Sequence, residues 1–180
     1  MLNVTTKMMD EHQLILRYAD LLELRLEGGD KNASQPNFWS HLEQIRDFIR
    51  EYADHYHHAK EENVLFEFLS KPGVLTHCNP LGQMMHEHTA GRDFVQGLSD
   101  AIQKEDLPSA VGNGLGWVEL IRVHIYKEDH ILYTFAEEGL SDQDKEEILK
   151  IYEKIEKEKD SVNLQRKFET LEKELLRSLG

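Results

Sequence analysis

The chain has 180 residues, 39% hydrophobic and 31% charged, a composition typical of a globular domain long enough to bury a core. Its formal net charge of −13 argues against general binding of nucleic acid through phosphate contacts. The lone cysteine, Cys78, excludes intramolecular disulfides and thiolate-only metal sites. Because the sequence has neither a signal-peptide layout nor an apolar run of roughly 20 residues, we expect a cytoplasmic protein that does not enter a membrane.

Apolar residues recur with helical periodicity through most of the chain and strand-like alternation is scarce, which predicts an all-α protein. We expect a first helix from Thr5 or Thr6 to Glu27, a polar loop over residues 30–36, and a second helix from Asn37 to Ser70. The first apolar stripe comprises Met8, Ile15, Ala19, Leu22 and Leu26, with His12 in its gap. The second comprises Ile45, Ile49, Ala53, Val64 and Phe68, with His57 and Glu61 in the same series.

A third helix is expected to begin after an Asn79 cap with Pro80 in its first turn. Its stripe comprises Leu81, Met85, Gly91, Val95, Leu98 and Ile102, and His88 fills the gap. The fourth helix begins between Pro108 and Leu115, where three glycines weaken its start, and ends at Gly139. Its stripe comprises Trp117, Ile121, Ile131 and Phe135, with His124 and Glu128 in the series.

The charged segment after Gly139 is expected to be helical over residues 142–179, with Ser141 as its N-cap and a break near Asp160. It has an amphipathic stripe of Leu164, Phe168, Leu171, Leu175 and Leu179. This segment either packs on the bundle, which is the simpler interpretation, or forms a homodimer. We therefore divide the chain into a metal-binding four-helix bundle, residues 1–140, and a C-terminal amphipathic extension, residues 141–180, packed on the bundle.

An internal repeat selects candidate ligands among the ten histidines. The segment from His57 to Phe68 returns 67 residues later, from His124 to Phe135, and Met8-Met9-Asp10-Glu11-His12 is echoed by Met84-Met85-His86-Glu87-His88. A duplicated helical hairpin would relate the two halves by a pseudo-twofold axis, which suits a paired metal site. Stripe position and symmetry together select His12, His57, Glu61, His88, His124 and Glu128. By the same criteria His58, His86 and His130 lack a matching partner, and His41, His55 and His77 are expected on the surface.

Burying four imidazoles and two carboxylates in an apolar seam is costly unless metal ions or mutual hydrogen bonds compensate the lost solvation. Mixed His and carboxylate ligation suits iron, manganese or zinc, and we prefer two iron ions over manganese or zinc because open positions suit chemistry with oxygen, peroxide or nitric oxide. Arg92 either approaches the open side of the site or forms a surface ion pair. Supporting hydrogen bonds are expected from Tyr18, Tyr56, Tyr126, Tyr133, Lys60, Lys127, Glu62 and Asp129.

The sequence resembles the hemerythrin-like (HHE cation-binding) family between about Met8 and Glu138. The resemblance rests on Glu11-His12, the segment from His57 to Phe66, Glu87-His88 and the segment from His124 to Asp129. It implies an up-down four-helix bundle with a non-heme di-iron centre, bridged by two carboxylates and an oxo or hydroxo group. It also implies ligand roles for the same six residues, His12, His57, Glu61, His88, His124 and Glu128.

Two departures from the oxygen-carrying members argue against simple reversible oxygen carriage. Met84 and Arg92 occupy the positions one turn from His88 where those proteins have a second His, and His124 and Glu128 are only four residues apart. The resemblance therefore implies a protein that binds, senses or reacts with oxygen or nitric oxide. One alternative is a di-iron enzyme with peroxidase-like, nitric oxide-reducing or iron-repair activity. Another is an interaction module in which the C-terminal helix is the active part.

Overall fold

A computed structural model describes residues 2–76 and 78–178, and within those ranges the chain is helical with no strand. Four long helices form an up-down bundle, confirming the predicted fold class, and two more cover it at the C-terminus. In the described residues α1 is Thr6–Glu27, α2 is the short Gly29–Ala33, α4 is Leu81–Lys104, α6 is Asp142–Glu158 and α7 is Ser161–Arg177. Helix α3 joins Phe38–Phe48, Ile49–His58, Glu61–Leu65 and Phe66–Leu69, and α5 joins Leu107–Lys127, Glu128–Leu132 and Tyr133–Gly139.

The four bundle helices form a closed ring of neighbours, in which α1 contacts α3 and α5, and α4 also contacts α3 and α5. Buried apolar side chains form two clusters, one on each side of the level occupied by the predicted ligands. The first cluster is centred on residues such as Leu22, Phe48, Leu98 and Ile121. The second is centred on residues such as Met8, Leu65, Met84 and Leu132. Because both sides of the ligand level are apolar, the polar residues between them are removed from water.

Local sequence signals explain most helix ends. Ser141 caps α6 by accepting a hydrogen bond from the Asp144 N–H, and Asp106 caps α5 by accepting one from the Ser109 N–H. Helix α5 therefore begins at Leu107, one residue before the predicted interval, because the Asp106 cap outweighs the glycines. Pro80 lies at the N-cap of α4 and not in its first turn. The predicted loop over residues 30–36 was wrong in part, since Gly29–Ala33 forms one helical turn.

Three segments of the bundle are π-helical, namely Ile49–His58, Glu61–Leu65 and Glu128–Leu132. A π turn holds more residues than an α turn, so the buried positions after it move along the sequence. This shift explains why Ile131, predicted in the stripe of α5, is 40% exposed while Leu132 is buried. Met85 was also misassigned: it is 40% exposed, and Met84 continues the alternating three- and four-residue spacing of α4.

Helices α6 and α7 contribute buried side chains to both apolar clusters. Ile148 and Tyr152 of α6 join the second cluster, and Phe168 and Leu175 of α7 join the first. The predicted break is present at Asp160, which has a φ of 48°. Leu179 lies outside the described residues, as does His77. The division at residue 140 and the homodimer stay predictions.

The structure also corrects the predicted exposure of one histidine. His41, expected on the surface, is buried in α3, where burial and then the charge of Arg25 lower its pKa. His55 is exposed as expected. A membrane-spanning segment was not found: among the described helices, none combines the length and hydropathy needed to cross a bilayer.

Candidate metal centre

The four predicted imidazoles meet at the centre of the bundle, one from each long helix. His12 of α1 and His57 of α3 face each other with 2.9 Å between their Nε2 atoms. His88 of α4 and His124 of α5 form a second pair with the same separation of 2.9 Å. All four rings are buried, with at most 2% of the residue exposed. The pseudo-twofold arrangement predicted from the repeat is therefore present in the side chains.

The outer nitrogen of every one of these imidazoles is bonded to a carboxylate on a neighbouring helix. The Nδ1 atoms of His12 and His57 lie 2.7 Å from Asp129 Oδ1 and 2.8 Å from Glu11 Oε2. Those of His88 and His124 lie 2.7 Å from Glu62 Oε1 and 2.8 Å from Glu87 Oε2. These four bonds join α1 to α5, α1 to α3, α3 to α4, and α4 to α5. An Nδ1–H that donates to a carboxylate leaves the Nε2 lone pair directed at the centre, which is the orientation a metal requires.

Glu61 and Glu128 lie between the two imidazole pairs. Glu61 Oε2 is 3.7 Å from His57 Nε2 and 3.5 Å from His88 Nε2. Glu128 reaches both sides with different oxygens: Oε1 is 3.1 Å from His124 Nε2, and Oε2 is 3.4 Å from His12 Nε2. Each glutamate begins a π-helical segment. Both carboxylates would therefore be able to hold metal ions together with the imidazoles of either pair.

The hydrogen bonding of these carboxylates is incomplete. Among the described residues, Glu61 Oε2 and both oxygens of Glu128 are buried without a hydrogen-bond partner. A buried charged oxygen left in this state is costly, so mutual hydrogen bonding does not by itself account for the cluster. Two divalent ions between the imidazole pairs would complete the coordination of these oxygens. The residues present therefore fit a pair of metal ions.

Without metal, protons hold the centre together. Burial opposes the charged form of His12, but the hydrogen bond to Asp129 and the attraction of the nearby Glu128 carboxylate outweigh it and raise the pKa to about 9. Burial and then the charge of His12 lower the pKa of His57 to about 4. In the other pair, burial is outweighed by the charge of Glu128, which raises the pKa of His124 to about 10. Burial and the charge of Glu128 together raise the pKa of Glu61 well above its usual value. Metal ions would have to displace the protons that the raised pKa values retain on His12 and His124.

Two lysines neutralise the carboxylates behind the imidazoles. Lys60 donates to Glu11 Oε1 and is completely buried, with its Nζ 4.2 Å from the centre of the Tyr56 ring. Lys127 donates to Glu87 Oε1 but is partly exposed. Burial alone would raise the pKa of both glutamates, yet the imidazoles and lysines lower each to about 2. Glu11 and Glu87 are therefore ionised acceptors that fix the two rings.

Several of the predicted supporting residues contact the centre and others do not. Tyr133 donates to Glu61 Oε1 at 2.5 Å, and Tyr56 donates to Glu11 Oε1 at 2.9 Å. Tyr18 instead donates to the Phe168 carbonyl, and Tyr126 is 61% exposed. The two alternatives for Arg92 are both present: it binds Asp54 and Glu62 as a partly exposed ion pair, and it lines a cavity beside the centre.

The structure adds His58 to the residues near the centre. Within the described part of the chain, two sets of four residues bring potential ligand atoms within 4.8 Å of one another. One set is His12, His57, Glu61 and Glu128, and the other is His58, Glu61, His88 and His124. The ring of His58 stacks on that of His88 with 4.0 Å between centroids. The repeat could not identify His58, because its counterpart is Ile125. It could have identified Glu11 and Glu87, since each directly precedes a predicted ligand. The six predicted residues come together, and their ligand roles stay a prediction.

Comparison with known families gives a match that covers the bundle. The model of the hemerythrin HHE cation binding domain matches residues 3–136, which include α1 to α4 and nearly all of α5. Neither the comparison with curated proteins nor the comparison with solved structures gave a match. The matched residues contain all the imidazoles and carboxylates of the centre, and α6 and α7 lie beyond them. The chain belongs to the hemerythrin HHE cation-binding domain family.

Proposed function

We propose that the protein holds two iron ions between His12, His57, Glu61, His88, His124 and Glu128, and that it binds, senses or reacts with oxygen or nitric oxide. The observation that carries this proposal is the pair of carboxylates between the imidazole pairs, with three oxygens that lack a hydrogen-bond partner in the described structure. Family membership supports cation binding. The mixed nitrogen and oxygen donors favour iron, with manganese and zinc as alternatives.

The chain's own contribution is to hold the metal ions and to orient the imidazoles that bind them. The carboxylates behind the rings fix the side of each imidazole that faces the centre, and the apolar clusters exclude water above and below. Iron, when bound, would supply redox chemistry and open coordination positions. Since six protein ligands do not fill the shells of two octahedral ions, a small molecule could bind there.

Iron content and absorbance test the proposal. Purified protein should contain about two iron ions per chain, as in other paired-metal sites, with a near-ultraviolet band in air. His57→Ala should lose iron and the band. His55→Ala is the matched control, because His55 is exposed on the same helix two residues away and should change neither. Metal-free protein, or a single tightly held zinc, would refute the di-iron assignment.

A second candidate is a di-iron enzyme with peroxidase-like, nitric oxide-reducing or iron-repair activity. The observation that favours it is a cavity open to solvent that reaches His88 and His124, because turnover requires access to the centre. Steady consumption of peroxide or nitric oxide that disappears in Glu128→Ala would support the enzyme. Stoichiometric binding without turnover would support a sensor.

A further inference from the structure

A cavity of about 180 Å³ lies beside the centre, between α3, α4 and α5. Its inner end is formed by His58, His88 and His124, the three imidazoles of one ligand set. It is much larger than a diatomic gas or peroxide requires, since a single water occupies roughly 30 Å³ of liquid. An apolar cavity of roughly 150 Å³ is enough for benzene, whereas sites for drug-sized ligands begin at roughly 300 Å³. The size of this cavity therefore suits a molecule close to benzene.

The walls of the cavity combine apolar and polar side chains. Ala53, Val95, Trp117 and Ile121 are among its apolar lining residues, and the buried imidazoles make its inner end polar. The ring of His58 lines that end, and its Nδ1 is buried and makes no hydrogen bond to any described residue. The nearest carboxylate oxygen on the same helix, Asp54 Oδ1, is 3.6 Å away and is held by Arg92. An occupant would therefore bury an apolar body and offer its polar atom to the imidazole of His58.

Gly91, in the wall of the same cavity, provides a second observation that favours an occupant. It is a buried residue in the interior of α4, where glycine costs roughly 1 kcal/mol of helix stability relative to alanine. Packing does not require glycine there, because an added Cβ would lie 3.7 Å from Leu120 Cδ2 and 3.9 Å from Trp117, which are ordinary contacts. The absence of a side chain at Gly91 instead leaves space in the wall of the cavity.

We propose that this cavity binds a small organic molecule with an apolar body of about benzene size and one oxygen-bearing head group directed at His58. This inference adds to the proposed function the class of ligand that reaches the open side of the centre. It rests on the proposed function only for the role of the metal. A phenol, a small aromatic acid or an organic hydroperoxide has the required chemistry.

The test measures binding of two fluorinated probes to the 180-residue, metal-containing chain by fluorine NMR. Both 4-fluorophenol and fluorobenzene should bind saturably, and the phenol should bind roughly two- to tenfold more tightly, the value of one hydrogen bond. His58→Leu should remove that preference while fluorobenzene still binds. Gly91→Ala should weaken both probes, and Gly91→Leu should abolish binding. Gly82→Leu is the matched control, because Gly82 lies in the same helix with open space around it.

The outcomes separate this inference from the proposed function. Iron content and helicity are measured on every variant. Gly91→Ala should also fold, because alanine favours the helix more than glycine does, so weaker binding in this variant reflects the cavity and not the fold. If neither probe binds, or if Gly91→Leu binds them as well as Gly82→Leu does, the inference is wrong even when two iron ions are present. If the probes bind with the expected variant pattern but iron is absent, the inference stands and the di-iron function fails.

Discussion

The most informative perturbation is a matched pair, Glu11→Gln and Glu87→Gln. Each substitution removes the charge from the carboxylate that accepts the Nδ1–H of an imidazole, His57 or His124. Loss of such a partner commonly lowers metal affinity by roughly 10–100-fold, and we expect that loss in both variants. The variants should differ in stability, because Lys60 is completely buried behind Glu11 while the lysine behind Glu87 is partly exposed.

The expected difference can be worked from burial. Breaking a buried ion pair from one side costs roughly 3–5 kcal/mol, whereas an exposed pair is worth about 0–1 kcal/mol. In a protein of this size, each kcal/mol moves the melting temperature by roughly 2–4 °C. Metal-free Glu11→Gln should therefore melt roughly 6–20 °C below the parent protein. Glu87→Gln should melt between this range and the parent protein, because Lys127 stays partly in water while the protonated ring of His124 still loses its charged partner.

Thermal melting followed by circular dichroism, together with metal titration, checks both effects. The double variant Glu11→Gln with Lys60→Met removes both buried charges, so it should regain most of the stability but not the metal affinity. Equal melting temperatures for the two glutamate variants would refute the argument from burial. Unchanged metal affinity in both would refute the role of these carboxylates in orienting the rings.

Three further predictions follow from the same contacts. The pKa values of His12 and His124 are raised to about 9 and about 10, so without metal both rings are doubly protonated and positively charged at neutral pH. Metal uptake should therefore release one proton from each ring. Below about pH 9 the apparent affinity for metal should then fall roughly 100-fold for each unit by which the pH is lowered. A metal titration in weak buffer that releases no protons would contradict this prediction. Tyr133→Phe removes the bond to Glu61 and leaves that buried oxygen without a partner, so it should cost roughly 1–3 kcal/mol in urea denaturation, with metal stoichiometry unchanged. Loss of metal would show that the hydroxyl does more than orient Glu61. Phe168→Ala should cost about 3–5 kcal/mol by the same assay, and a cost under about 1 kcal/mol would contradict the placement of α7 in the core.

The fold and the composition of the centre could be predicted from the sequence because both depend on local spacing. Gly28 does follow the last residue of α1, and Ser141 does cap α6. The His-x-x-x-Glu spacing places His57 and Glu61 on one helical face, and its repetition indicates the pseudo-twofold axis. These features need only the geometry of a single helix and a count of residues.

The remaining features depend on contacts between helices, which residue spacing does not specify. The π turn at Glu128 replaces i+4 hydrogen bonds locally, and this moved Ile131 out of the core. His58 has no counterpart in the repeat, and its place at the centre follows from its stacking on His88 of another helix. The space beside Gly91 likewise exists only after α3, α4 and α5 have packed.

The closed ring of imidazole–carboxylate bonds has a consequence for how the bundle opens. Because the four bonds connect each long helix to both of its neighbours, one helix cannot detach locally without breaking two of them. The middle sections of α1, α3, α4 and α5 should therefore exchange their amide hydrogens as one cooperative unit. Helices α6 and α7 lie outside this ring, so their amides can exchange at lower free energy. A change at the centre would reach all four bundle helices together.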